Sequence, residues 1–233
     1  MITLKQVQSD PEVAALIEAG NAHLAAKGYT DHGPRHVSYV SRTAAKVLRA
    51  LGFSSRLIEL AAIAGWLHDV GNCVNRHNHG ATGAVLLLPV LRRLDVPIAD
   101  ALLVVTAVGN HEEETGTVTN DVSAALILAD KTDAHRTRVA HGQPDPDDIH
   151  DRVNFAICSS RVEVDAEHRA VRHRLVMDDS SSILEYLQIY LPRIVMCETA
   201  AKYLGCSFEL VINGHTVNNK PGILESGELK AEN

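Results

Sequence analysis

One segment limits the possible folds of this chain more than any other. Residues 54–71, SSRLIELAAIAGWLHDVG, are apolar on most sides and end in His68 and Asp69. A helix with that pattern belongs in the middle of a bundle rather than on its surface, and Ser54 is suited to cap its start. The His-Asp pair then lies where polar groups must find partners, because an unpaired charge in an apolar interior costs several kcal/mol or more.

Helical signals flank this segment. Asp10-Pro11 opens a helix that Gly28 ends, and Pro34 starts another whose face runs His36, Val40, Thr43 and Val47 before closing near Gly52. Further helices are expected over 82–94 and 97–108 and through VSAALILADKTDA at 122–134. The character changes at 141–150, HGQPDPDDIH, where Pro, Gly and Asp accumulate. Beyond it, alternation at Val153, Phe155 and Ile157 predicts a strand, and 171–177 a second one. A helix over 182–204 with a kink at Pro192 follows, then a strand at SFELVI and a tight turn at Asn213-Gly214. The expected architecture is mainly α: a helical bundle over 1–145, a small α+β appendage over 146–217 and a polar, mobile tail over 218–233.

Length and composition remove some functions. With 233 residues the chain can bury a substantial core without disulfides, and its four cysteines, Cys73, Cys158, Cys197 and Cys206, form no CxxC pair. They read as reduced and at least partly buried, which with no secretory leader points to the cytoplasm. No apolar run approaches the roughly 18 residues of a membrane span. A net charge of -7 argues against nonspecific nucleic-acid binding. It also means that an anionic substrate would need local positive charge, which bound metal can supply.

Aromatic residues are scarce at 4%, but histidines number 13, so their placement matters. Asp130 sits one turn after Leu126 on a face that ought to be buried. His36, His68, Asp69 and Asp130 each lie on or at the end of an apolar helix, so packing those helices would bring their polar groups together. Two imidazoles and two carboxylates suit Fe, Mn, Zn, Co or Ni, with Mg an option less matched to imidazole. Neighbouring His68 and Asp69 point about 100° apart on a helix, which lets Asp69 bridge to a second ion held by His79 and His111. Two such ions can activate a water and steady both oxygens of a phosphoester. A second His-Asp pair, His150-Asp151, has no apolar helix behind it and reads as surface. His77, His135, His141, His168, His173 and His215 read as solvated or structural.

The order His36, GWLHDVG and Asp130 in LADKTDA resembles the H…HD…D signature of the HD superfamily of metal-dependent phosphohydrolases, over roughly residues 30–140. HGATGA with His79 and NHEEE with His111 resemble the extra ligands of its HD-GYP and HDIG-type branches. The resemblance implies a helical HD domain in which His36, His68, Asp69 and Asp130 hold a first divalent ion, and His79 and His111 share Asp69 around a second. It implies hydrolysis of a small phosphorylated metabolite or nucleotide by metal-activated water. Catalysis is assigned to Asp69 and Lys131, and substrate contact to His32, Arg35 and Lys131. The Gly-Tyr-Pro motif is replaced by ETGTVTND, which argues against cyclic di-GMP, and Asn72 stands where HDIGK has lysine. One of Glu112, Glu113 and Glu114 could shuttle a proton or orient His111, but at least two of them read as a solvated acidic loop and no catalytic role is assigned to them. The appendage lies outside the resemblance; covering the pocket, shaping substrate choice and pairing into a homodimer are its alternative roles. Two other readings stay open: a di-iron oxygenase of the same fold, and a noncatalytic metal-binding module for signalling or assembly.

Overall fold

The computed structural model describes residues 2–139 and 142–218. His141 and residues 219–233, most of the expected tail, lie outside them.

The central helix forms as the pattern requires. α4 (Ser55–Leu67) is capped by the Ser54 side chain, which accepts from the Leu57 amide. It is surrounded by α3 (Pro34–Ala50), α6 (Ile98–Gly109), α7 (Asp121–Lys131) and a short N-terminal helix, α1 (Leu4–Gln8), that the sequence reading did not include. α2 (Pro11–Ala25) starts on Asp10, whose carboxylate accepts from the Val13 amide, and packs against a 3₁₀ turn at Val70–Cys73. α4 ends at Leu67, so His68 and Asp69 lie in the turn that follows rather than in its last helical turn. α5 (His79–Arg93) begins three residues before the expected start and therefore includes His79. α7 stops at Lys131, three residues short of the expected end, which frees Asp133 from the helix.

α3 and α4 cross at very short range. A Cβ on Gly65 would stand 2.7 Å from the Ser41 Cα and amide nitrogen, and the Ser41 hydroxyl donates to the Ala62 carbonyl at 2.7 Å. A larger residue at 65 would push the two helices apart.

The predicted strand over 153–157 is a helix, α8 (Ile149–Ala156). Asp148 caps it, and Val153, Ala156 and Ile157 are buried, a spacing of three and four that fits a helical stripe as well as alternation did. The strand comes later, β1 (Ile157–Asp165), and pairs antiparallel with β2 (Ala170–Met177). α9 (Ile183–Tyr203), with Pro192 inside it, carries the chain to β3 (Ser207–Ile212), which lies parallel to β2; the turn at Asn213-Gly214 adds β4 (His215–Thr216). The fold is thus mainly α with a small C-terminal α+β appendage. α9 packs on α7, and one hydrophobic cluster runs without a break from Ile2 to Ile212. No helix among the described residues is long and apolar enough to cross a membrane. Among the cysteines, Cys197 and Cys206 are buried, Cys73 is half-buried and Cys158 is exposed, contrary to the expectation for that residue; all four are free.

Candidate metal centre

Six residues from five places in the chain converge. His36 is in the first turn of α3, His68 and Asp69 follow α4, His79 opens α5, His111 follows α6, and Asp130 is in the last turn of α7. Asp69 Oδ2 and Asp130 Oδ1 lie 3.5 Å from His36 Nε2, and His68 Nε2 lies 3.4 and 3.6 Å from the same two oxygens. On the other side of Asp69, Oδ1 is 3.2 Å from His79 Nε2 and 3.9 Å from His111 Nε2. The sets His36, His68, Asp130 and His68, Asp69, His111 each have the compactness to hold an ion.

The tautomers sharpen this geometry. His68 Nδ1 donates to the Gly65 carbonyl at 3.0 Å, His79 Nδ1 to the Arg76 carbonyl at 2.9 Å, and His111 Nδ1 to the Val108 carbonyl at 2.6 Å. His36 Nδ1 donates to Asp133 Oδ2 at 2.6 Å. These partners can only accept, so in each neutral ring the lone pair is on Nε2. Yet His36 and His68 face each other Nε2 to Nε2 at 3.0 Å, and His79 and His111 do the same at 3.0 Å. Two lone pairs at that range repel unless a cation stands between them. Asp69 Oδ2 is also buried without a hydrogen-bond partner. Metal–ligand bonds of about 2.0–2.2 Å at tetrahedral or octahedral angles would put ligand atoms about 2.9–3.5 Å apart, which is nearly the spacing here. The donor set fits a divalent transition ion.

Residues 35–135 match the family model of the HD domain. Over that stretch, somewhat under half of its length, the chain is similar to HD domains. Such domains bind divalent metals, and the superfamily is of metal-dependent hydrolase type. No curated protein matches the chain.

The electrostatics of the centre are those of a site built for cations. Burial alone would raise the carboxyl pKa of Asp69 and Asp130, but His68 beside the first and Lys131 beside the second hold both well below the usual carboxylate range. Burial and Arg138 oppose protonation of His36; the carboxylates of Asp130, Asp133 and Asp69 outweigh them and raise it to about 10, so without an ion a proton on Nε2 takes the place between His36 and His68 that a cation would fill. Burial, with His79 and Lys131, keeps His111 neutral.

Of the groups that back the ligands, Asp133 is not singled out by the sequence, and Arg35, Asn72 and Glu112 take roles other than the ones expected of them. Asp133 holds His36 and is itself held by Arg35, whose Nη2 donates to Oδ2 at 2.6 Å and whose Nε donates to Asp31 at 2.8 Å. Arg35 therefore supports His36 from behind and does not line the cleft over the ligands. Asn72 donates to Asp69 Oδ1 at 2.9 Å, fixing the bridging carboxylate. Glu112 contacts His79 Nδ1 and accepts from the Gly80 amide at 2.8 Å, so it orients His79 rather than His111. Glu114 is exposed.

His32 and Lys131 do line the cleft. Lys131 Nζ lies 2.7 Å from Asp130 Oδ2 and 3.2 Å from Glu113 Oε1. His32 donates from Nδ1 to the Thr30 carbonyl at 2.6 Å and is kept neutral by burial, with Arg138 adding to the effect. Three more cations, Arg76, Arg138 and Arg193, line the same cleft. Their separation in sequence hid them, and Arg193 belongs to the appendage.

The other histidines stay away. His77, His168 and His215 are exposed, His135 bonds Thr137 and the Cys158 carbonyl, and buried His173 pairs with the Ser160 hydroxyl at 2.9 Å. His150 is exposed, but Asp151 is buried and accepts from the Asp145 amide, a structural role and not a surface one.

Proposed function

We propose that this chain is a metal-dependent phosphohydrolase holding two divalent transition ions, one at His36, His68, Asp69 and Asp130, the other at His79, His111 and the shared Asp69. The observation that carries the reading is the double facing of Nε2 lone pairs on either side of one carboxylate. When bound, the ions would lower the pKa of a water and neutralise charge on a phosphoryl group. Asp69 would keep the two sites in register, with Asn72 and the four Nδ1 partners holding the ligands in their productive orientation. Lys131, steered by Asp130 and Glu113, would offer its ammonium to a phosphate oxygen. The substrate is a small phosphorylated molecule.

The same six ligands suit a di-iron oxygenase, but four cations around the cleft favour an anionic substrate. The test is metal analysis of the purified chain followed by a phosphoester panel with manganese or cobalt. We expect about two ions per chain and release of phosphate or of an alcohol. Metal-loaded protein inactive on the whole panel would overturn the reading, and oxygen consumption by the iron form without phosphate release would replace it with the oxygenase.

A further inference from the structure

Arg76, Arg138 and Arg193 line two adjacent spaces. One is the narrow cleft over Asp69, His79, His111 and Asp130; the other is a chamber of about 160 Å³ whose outer wall includes Tyr29, Thr30, Asp148 and His150. The three arginines and His32 border both, so they stand at the junction. Arg138 and Arg193 fall outside the stretch that matches the HD domain.

Their partners leave positive charge in excess. Arg193 shares Glu113 with Lys131, at 2.9 and 3.2 Å. Arg138 is 4% exposed; it donates to the carbonyls of Asp133 and Asp31, and its Nη2 lies 3.3 Å from His32 Nε2. Its Nε has no hydrogen-bond partner, and the nearest carboxylate oxygen, on Asp133 at 3.9 Å, already serves His36 and Arg35. Arg76 has no carboxylate within 4 Å among the described residues and lies over the Tyr29 ring. Among the described residues Asp148 is the one carboxylate on the chamber wall, and it caps α8. Buried guanidinium left unpaired is costly, and its planar donors match the oxygens of a phosphate.

We propose that this cluster is a clamp for the terminal phosphate of a small phosphomonoester, with Arg76, Arg138 and Arg193 gripping its non-ester oxygens and the rest of the molecule in the chamber. This rests on the phosphohydrolase reading and narrows it. A monoester dianion presents three non-ester oxygens and two charges to the clamp, whereas a diester presents two oxygens and one charge. The chamber is about half the smallest ordinary ligand pocket of roughly 300 Å³, which suits a compact polar alcohol better than a nucleoside. In the reaction, the water oxygen bonds to phosphorus as the ester P–O bond breaks. One water proton goes to the departing alcohol oxygen and the other stays on inorganic phosphate.

The test uses the metal-loaded full chain. Turnover is compared for glycerol phosphate, a nucleoside monophosphate and bis-p-nitrophenyl phosphate, and binding of inorganic phosphate is measured by calorimetry. We expect glycerol phosphate to be preferred. Arg76→Gln, whose half-buried side chain has no carboxylate partner among the described residues, should raise KM and weaken inorganic phosphate binding by roughly tenfold or more, with a smaller change in kcat and unchanged metal content. Arg193→Lys should do the same if the variant folds. Equal or better turnover of the diester, or phosphate binding unaltered in Arg76→Gln, would overturn the clamp. If nothing is turned over, the phosphohydrolase reading fails, and the clamp is still decided by whether Arg76→Gln loses phosphate binding.

Discussion

The two ends of the Asp69 carboxylate face unequal surroundings. Oδ2 meets His36, His68 and a second carboxylate, Asp130, all held by helices α3, α4 and α7 that form the buried core. Oδ1 meets two imidazoles, one at the start of α5 and one in the turn after α6, and accepts from the Asn72 amide. The backing is alike in kind on the two sides: a carboxylate stands behind one imidazole of each, Asp133 behind His36 and Glu112 behind His79, while His68 and His111 have only carbonyls behind them. His79 has a carbonyl and Glu112. Richer negative charge and a stiffer frame should give the Oδ2 side the tighter ion and leave the Oδ1 side the exchangeable one.

Removing the shared group tests the comparison most severely. Asp69→Ala should abolish the second ion, strip most of the first and eliminate turnover, read by elemental analysis after dialysis; retention of two ions would mean that the carboxylate does not bridge. Asp133→Asn should weaken the first ion by about 10–100-fold while sparing the second, seen by calorimetric titration; equal loss on both sides would erase the asymmetry. Glu112→Gln should do the opposite on a smaller scale, weakening only the second ion by about tenfold. If it displaces the first ion instead, the assignment of His79 is wrong.

The mildest effect lies outside the centre and separates it from the frame. Burial pushes the His173 pKa down to about 4 from an unfolded value near 6.5. Between those values the unfolded chain binds the proton and the folded one does not, so stability is full above pH 6.5 and falls as pH drops toward 4. Melting curves of the chelator-treated chain should show this, and His173→Gln should flatten it. An equal pH dependence in the variant would assign the acid sensitivity to other groups.

What the amino-acid sequence reveals follows the same division. His68, Asp69 and Asp130 stand out because each interrupts a run of apolar residues, an anomaly visible within one helix. Asp133 does not, since its partners Arg35 and His36 are nearly a hundred residues away and its role depends on α7 ending at Lys131. Arg76, Arg138 and Arg193 look like surface charges until α9 docks on α7. In the appendage, Val153, Phe155 and Ile157 alternate as in a strand while Val153, Ala156 and Ile157 are spaced as in a helix, and the Asp148 cap favours the helix. β1 escapes notice because its first half, ICSSR, is poor in strand formers and relies on its pairing with β2.

The close crossings at glycine bear on how such a centre tolerates change. At Gly71, as at Gly65, there is no room for a side chain: a Cβ there would run into the His79 carbonyl. The gap between Asp69 and His79 is thus gauged by main chain pressed on main chain, and not by any side chain that could be exchanged. Ligand residues can be swapped for others of similar reach without moving the frame, but one methyl group at either glycine acts as a shim that alters the spacing of the whole centre. The tolerances of the metal chemistry are therefore recorded at two positions that carry no chemistry of their own.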